Sequence, residues 1–332
     1  MTANMKRREL IMLLGSAAAA AAVVRSLAAR AQTPAIIGMM TMAAPTSIPQ
    51  PLASFRAGLM QSGFVEGQNV KIEYRSAEGQ FDRIPALIAD LVRRQPSLLM
   101  LASPTAVLAA KRVTATIPIV FVSGDDPVKR GLIASLNRPG GNITGVYQFS
   151  YLLEAKRLAL LHDMLPKVGT IAAIIDPSNP AAETQIHDVQ KAAEQLGVHL
   201  VVLTANVESD FVTTFASLAQ QQAGALLVTA GPFFNSRRQQ LIALAARYAV
   251  PTIYEWREFA DAGGLMSYGT SNSDAFHQAG IYAGRILKGE NPADLPAVQN
   301  TKFEFVINLS TARALGIEVP PGLLVAADEV IE

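Results

Sequence analysis

The side chains able to do chemistry in this chain gather where apolar runs end. Ser103, Thr105, Ser123, Asp125, Asp176, Ser178, Asn179, Phe233, Asn235, Tyr254, Glu255 and Tyr268 fall at the ends of predicted strands or in the turns that follow. Open parallel sheets hold ligands at that edge. A pocket for a small polar molecule needs a few placed hydrogen-bonding groups against apolar or aromatic walls, and this set supplies both. A carboxylate such as Glu255 or Asp125 can pair with a ligand amine, while Phe233 and Tyr254 can stack on a ring or an aliphatic body. Each residue also has a structural alternative: Phe233 and Phe234 as core, Trp256 as packing, Glu255 paired with Arg257 or Arg237. About half of the set is expected to touch a ligand.

Four of these strand ends share one punctuation. Ser103-Pro104, Asp126-Pro127, Asn179-Pro180 and Gly231-Pro232 each place a capping type before a proline suited to the first helical position. Each would leave unpaired N–H groups and a positive dipole end facing a crevice. Two come from each half of the chain, so facing halves would ring one cleft with them.

Catalysis has little to draw on. His162, His187, His199 and His277 are scattered without metal-binding spacing, there is no G-x-S-x-G elbow, and Gly140-Gly141-Asn142 lacks the lysine and serine of a phosphate loop. The acid pairs at Asp125-Asp126 and Glu255 to Glu258 read better as solvated turn and helix faces than as acid-base machinery. No metal, no cofactor and no enzymatic activity are expected.

The elements that must position these residues alternate. Strands are predicted at Ala35 to Met40, Val70 to Arg75, Ser97 to Ala102 and from Pro118. Helices are predicted at Leu52 to Ser62, Phe81 to Arg94 and Pro104 to Val113. The second half repeats the order: strands at Thr170 to Ile175, Val198 to Leu203, Ala225 to Thr229 and Thr252 to Tyr254, with helices at Ala181 to Leu196, Phe211 to Gln222 and Ser236 to Tyr248. Phe81, Leu98-Leu99, Pro104 and Pro118 match Phe211, Leu226-Leu227, Pro232 and Pro251 at a shift of about 130 residues, which marks two related lobes rather than a solenoid. Strands alternating with helices predict parallel sheets covered on both faces.

Each half ends in the same device, a strand, a turn, a helix-like segment, Gly-Gly and another strand: Ile117 to Tyr147 and Val250 to Thr270. The first is expected to enter a short helix at Asp126-Pro127. The strands Asn142 to Tyr147 and Gly264 to Gly269 lead into helices at Leu152 to Leu165 and Ala275 to Leu287. With Lys302 to Asn308 they are expected to cross between lobes as a three-strand hinge.

The chain has 332 residues, 50% hydrophobic and 17% charged, enough for a large core and two domains. The formal net charge is +1. Five basic residues (Lys6, Arg7, Arg8, Arg25, Arg30) precede Gln32, leaving a small acidic excess and no basic face for nucleic acid. The absence of cysteine excludes disulfides, thiolate metal sites and a lipidated N-terminal cysteine. Met5-Lys6-Arg7-Arg8, the apolar run Leu10 to Val24 and Ala29-Arg30-Ala31 predict a signal peptide over residues 1–31, cleaved near Ala31 to release the protein into the periplasm. The paired arginines followed by Glu9-Leu10-Ile11 fit a twin-arginine signal, with a general secretory signal as the alternative.

Several motifs together resemble one family. They are K-R-R-E-L-I, V-E-G-Q-N-V-K-I-E-Y-R-S-A-E-G, I-P-I-V-F-V-S-G-D-D-P-V, N-R-P-G-G-N-I-T-G-V, P-F-F-N-S-R-R, E-W-R-E-F-A-D-A-G-G-L-M-S-Y-G and F-V-I-N-L-S-T-A-R-A-L-G-I. The chain is similar, from end to end, to ABC-transporter substrate-binding proteins of the group that includes tryptophan- and tyrosine-binding members. The resemblance implies an α/β type I periplasmic binding fold, two Rossmann-like lobes with parallel sheets joined by a three-strand hinge. The first lobe would take residues 34–146 plus about 272–303, the second about 147–271 plus 304–332. It further implies a monomer that captures a small molecule, an amino acid or another small organic solute, and delivers it to a membrane ABC permease with its cytoplasmic ATPase. The pocket implied is formed by Ser103, Pro104 and Thr105, the Ser123 to Asp125 turn, Asp176 to Asn179 and Phe233 to Asn235. Aromatic-amino-acid binders tend to an alanine- or threonine-rich first turn; here it reads Met42-Ala43-Ala44-Pro45-Thr46-Ser47. A receptor feeding a sensor protein, or a hydrolase or lyase acting in the cleft, are the alternatives.

Overall fold

The computed structural model describes residues 34–332; the predicted signal peptide lies outside the described residues. The apolar runs become two sheets. β1 (Ala35–Thr41), β2 (Val70–Ser76), β3 (Leu98–Ala102), β4 (Ile119–Ser123), β5 (Ile143–Tyr147) and β11 (Val298–Gln299) form the first, in the order β11-β5-β4-β3-β1-β2. All its pairings are parallel, with Ile37 opposite both Ile72 and Leu98. β6 (Thr170–Ile175), β7 (His199–Thr204), β8 (Ala225–Val228), β9 (Thr252–Tyr254), β10 (Met266–Thr270), β12 (Phe303–Asn308) and β13 (Glu329–Ile331) form the second, ordered β13-β12-β10-β9-β8-β6-β7. Only the β10–β12 pairing is antiparallel.

Strands buried on both faces read as continuous apolar runs because helices cover each side. One face of the first sheet packs on α1 (Pro49–Gln61) and α10 (Asn272–Leu287), through Phe55, Leu59, Phe276 and Tyr282. Its other face packs on α2 (Ile84–Arg93) and α3 (Pro104–Lys111), through Ile88, Leu91 and Val107. The second sheet is covered on one side by α4 (Glu154–Met164), α5 (Ala182–Leu196), α11 (Leu309–Ala314) and α12 (Pro321–Ala326). α6 (Glu208–Gln220), α7 (Pro232–Ser236), α8 (Arg238–Arg247) and α9 (Arg257–Asp261) cover its other side.

Three segments join the lobes, and the strands before them stay in their own sheets. β5 ends in the first sheet and residues 148–153 lead to α4, which packs beneath β8 and β9 of the second. β10 ends in the second sheet and Ser271 leads to α10, which packs on α1 and the first. After β11, residues 300–302 return to β12. The crossings are therefore the short links after the strands, not the strands expected to span the gap. Polar side chains brace them: Thr270 Oγ1 donates to the Gln148 carbonyl at 2.8 Å and Asn300 Nδ2 to the Ser271 carbonyl at 2.7 Å.

Local departures from the predicted elements have local causes. No helix follows Asp126-Pro127; the chain makes turns and Gly131, at φ 67°, ends them. Asp126 still does what a capping residue does, its Oδ1 accepting from the Val128 and Lys129 N–H groups. The predicted helix from Ser236 to Tyr248 starts only at Arg238, behind the separate turn of α7.

Candidate ligand-binding site

The carboxyl ends of both sheets face one cavity of about 80 Å³, room for several waters or one small solute. The first lobe contributes the turn after β1 (Met42, Ala43, Ile48), Phe81, and the start of α3 with Ser103, Pro104 and Thr105. The second contributes Asn179 and Pro180, Gly231, Pro232 and Asn235 of α7, and Glu255 with Trp256 after β9. Gln148, Ser150 and Tyr151 of the first crossing and Asn272 and Phe276 of α10 form the hinge wall. The lobes also touch across the cleft: Arg238 Nη2 donates to the Ser47 carbonyl at 3.0 Å.

Six of the residues singled out from sequence meet here: Ser103, Pro104, Thr105, Asn179, Asn235 and Glu255. Ser103 sits at the N-cap of α3, but its hydroxyl caps nothing and, though buried, has no partner among the described residues. The Trp256 indole N–H is in the same position. Both point to hydrogen bonds that a ligand would complete, since buried polar groups are otherwise paired. Asn179 Oδ1 accepts from the Ala181 N–H and closes the turn before α5, whose N-cap is Ala181 rather than the expected Asn179, and Asn179 faces the cavity as well. Ser103 and Asn179 are both buried.

Seven do not line the cavity. Ser123 Oγ donates to the Asp125 carbonyl at 2.8 Å, and Asp125 pairs with Arg130, so that turn offers the cavity Gly124 and Arg130 instead. Asp176 accepts from the Ser178 N–H and hydroxyl and organises its own turn; burial pushes its carboxyl above the ordinary range. Phe233 stacks on Phe211, with ring centroids 5.3 Å apart, and belongs to the core. Tyr254 stacks on Phe259 at 4.5 Å. Tyr268 stacks on Phe303 at 6.1 Å. Their rings satisfy the packing alternative, and the aromatic walls are Phe81, Tyr151, Trp256 and Phe276.

A buried ionic group lies behind Glu255. Arg157 and Glu154, one turn apart on α4, are both fully buried and pair at 2.9 Å. Glu154 Oε1 also accepts from the Ala230 N–H at 2.7 Å and from Gln185 Nε2 at 2.9 Å. Glu255 Oε2 accepts from Asn235 Nδ2 at 2.9 Å. Burial pushes the Glu255 carboxyl above the ordinary glutamate range, while Arg157, Asn235 and the Ser150 hydroxyl oppose the rise. The sequence does carry a trace of this group. Glu154 and Arg157 fall on the same helical stripe as Leu158, Leu161 and Met164, so a charged pair occupies the face that the helix buries.

Residues 37–331 match the family described as ABC transporter substrate binding protein. The chain belongs to this family. Such a protein captures a small molecule. A tyrosine-binding protein of Clostridioides difficile (strain R20291) is 25% identical over 282 residues, 85% of this chain and 81% of that protein. The crystal structure of an ABC domain from Streptococcus pneumonia in complex with L-Trp superposes with a TM-score of 0.79 at 24% identity, covering 90% of this chain and all of that one. A conserved domain protein from Vibrio cholerae gives 0.80 at 24% identity, again over 90% of this chain and all of the other. These structures share the fold of the substrate-binding protein described here.

Proposed function

We propose that this chain is the exported solute receptor of an ABC importer and that its ligand is a small amine-bearing solute of the amino-acid class with an apolar or aromatic body. The observation that carries the ligand class is Glu255, a buried carboxylate on the cavity wall, in the same cavity as an unpartnered Ser103 hydroxyl at the start of α3. A ligand ammonium would pair with Glu255 in a site where charge-assisted bonds are strong. A ligand carboxylate would lie against the Ser103 hydroxyl and the first N–H groups of α3, where the helix dipole favours negative charge. Phe81, Trp256, Phe276, Met42 and Ile48 would enclose the apolar body. The names of the relatives, which bind tyrosine or hold L-Trp, support the same class.

In this reading residues 1–31 direct export and are removed, and the mature monomer works in the periplasm. Ligand contacts made only when the lobes meet shift the hinge equilibrium to the closed form, which docks a membrane permease coupled to a cytoplasmic ATPase.

Calorimetry with the protein beginning at Gln32 tests the reading, using L-amino acids beside their des-amino and des-carboxy analogues. An aromatic or aliphatic amino acid is expected to bind, and its des-amino analogue to bind about 10- to 100-fold more weakly, the worth of one charged hydrogen bond. Equal binding of the des-amino analogue, or saturation by a neutral sugar alone, would overturn it.

A further inference from the structure

The turn after β2 is exposed at Glu78 and Gln80 but buried at Gly79 between them. What covers Gly79 belongs to the other lobe. A Cβ on Gly79 would lie 2.9 Å from Ser236 Oγ, 3.1 Å from the Phe233 Cα and 3.5 Å from Phe233 Cδ2, all in α7. Packed side chains do not come that close to a neighbouring backbone, so this approach depends on residue 79 having no side chain.

Neither side of the contact yields easily. On the first lobe, the Ala77 N–H donates to the Thr41 carbonyl at 3.0 Å and the Gly79 N–H to the Met42 carbonyl at 2.9 Å, which laces the turn to the end of β1. Thr41 and Met42 line the cavity, as does Phe81 just after the turn. Glu78 and Gly79 both hold left-handed backbone, at φ 54° and 82°, a conformation that glycine adopts without strain. On the second lobe, Ser236 Oγ donates to the Phe233 carbonyl at 2.7 Å, and Asn235 between them is bonded to Glu255. A side chain at residue 79 would therefore be relieved most readily at the hinge, by parting the lobes. The contact also gives a role to the S-A-E-G end of its sequence motif, which does not itself line the cavity.

We propose that Gly79 is the positioning residue for closure: its bare backbone seats the first lobe on α7 of the second, and that seat sets how tightly the cavity closes on its ligand. The proposal rests on the receptor reading, in which ligand is held between closed lobes. Met42 lies on one side of the seat and Pro232 and Asn235 on the other, so lobes parted at Gly79 part at the cavity wall as well. The cost of a side chain falls on the closed form, because the contact joins the two lobes.

Calorimetry with L-tyrosine and L-tryptophan as probes tests the seat on three variants. Gly79→Ala adds one methyl group at the contact. Ser236→Leu adds bulk to the same contact from the other lobe, without a left-handed residue. Gly67→Ala is the control, since Gly67 has nearly the same backbone, φ 83°, but a Cβ there meets nothing within 4 Å. Gly79→Ala and Ser236→Leu are each expected to weaken probe binding about tenfold or more. Gly67→Ala is expected to leave it unchanged, whatever stability it loses to backbone strain. Affinity unchanged in Ser236→Leu, or lowered equally in Gly67→Ala and Gly79→Ala, would overturn the proposal. If Gly79→Ala does not fold, Ser236→Leu against Gly67→Ala decides.

A cross-link separates the seat from the identity of the ligand. The chain has no cysteine, and a Cβ at residue 79 within 2.9 Å of Ser236 Oγ puts the two Cβ atoms inside the span of about 3.5–4.5 Å that a disulfide bridges. Gly79→Cys with Ser236→Cys is therefore expected to form a disulfide in ligand-free protein under mild oxidation, read as altered migration on a non-reducing gel. Its formation beside a parent that binds neither probe would uphold the seat and overturn the amino-acid reading of the ligand. No disulfide in a folded double variant would overturn the seat.

Discussion

Glu255 can serve as a ligand group because Tyr254 beside it does not share its surroundings. Consecutive side chains leave a strand on opposite faces, so Tyr254 stacks on Phe259 in the core while Glu255 enters the cavity. Burial holds the Glu255 carboxyl above the ordinary value of 4.5 in the folded chain. An acid raised in this way costs nothing while folded and unfolded chains are both protonated. The cost enters as pH rises through 4.5, where the unfolded chain ionises, and is complete above the raised folded value. Glu255→Gln is therefore expected to leave stability near pH 4 almost unchanged and to raise that of the ligand-free protein at pH 7, read from urea midpoints. A variant less stable than the parent at both pH values would show that the carboxylate is already compensated. At this scale the sequence places these residues in turns at strand ends but does not say which side chain of each turn faces the cavity. Ser103, Asn179 and Asn235 do, while Ser123 Oγ and Asp176 Oδ1 bond within their own turns.

Among the elements, α10 has the hardest task, since it follows the last parallel strand of the second sheet and must pack on the first. It succeeds by backbone approach to α1. A Cβ at Gly280 would lie 2.1 Å from the Phe55 carbonyl oxygen, and one at Gly58 would lie 2.2 Å from that of His277. Neither clash is with a side chain that can swing away. Gly280→Ala is expected to cost about 1–3 kcal/mol, the usual penalty of overpacking. Gly169→Ala, where a Cβ meets nothing within 4 Å, should stay within about 0.5 kcal/mol of the parent. Urea denaturation of both variants checks the contrast, and equal midpoints would mean that the helices separate without penalty. Strand and helix alternation was legible because apolar runs of strand length and 3.6-residue stripes are local properties. The turn after Asp126 was not, because Asp-Pro announces a helix start equally well whether or not the chain continues helically beyond it.

Over the whole molecule, function depends on contacts that exist only when the lobes meet. Arg238 supplies one from the second lobe, its Nη2 donating to the Ser47 carbonyl, while its guanidinium lies 5.9 Å from the centre of the Phe259 ring. Arg238→Met keeps an apolar stem over Phe259 and removes the bond across the cleft. Ligand affinity is expected to fall about two- to tenfold, the worth of one hydrogen bond of about 0.5–1.5 kcal/mol, with small-angle scattering showing a more open ligand-free form. Unchanged affinity and shape would mean that this contact does not bias closure. Ser47 belongs to the turn Met42 to Ser47, the stretch that departs from the aromatic-amino-acid binders, and Met42 and Ala43 of that turn line the cavity. The same segment therefore shapes the pocket and receives the closing contact. From sequence alone came the parallel α/β class, the two-lobed fold and the family, because these follow from periodicity, turn chemistry and motifs read along the chain. Only the tertiary structure decided that the crossings lie after the strands, that a buried Glu154–Arg157 pair stands behind Glu255, and which face of each turn meets a ligand. Those facts depend on which distant segments pack together, and burial, ion pairing and side-chain direction are properties of that packing.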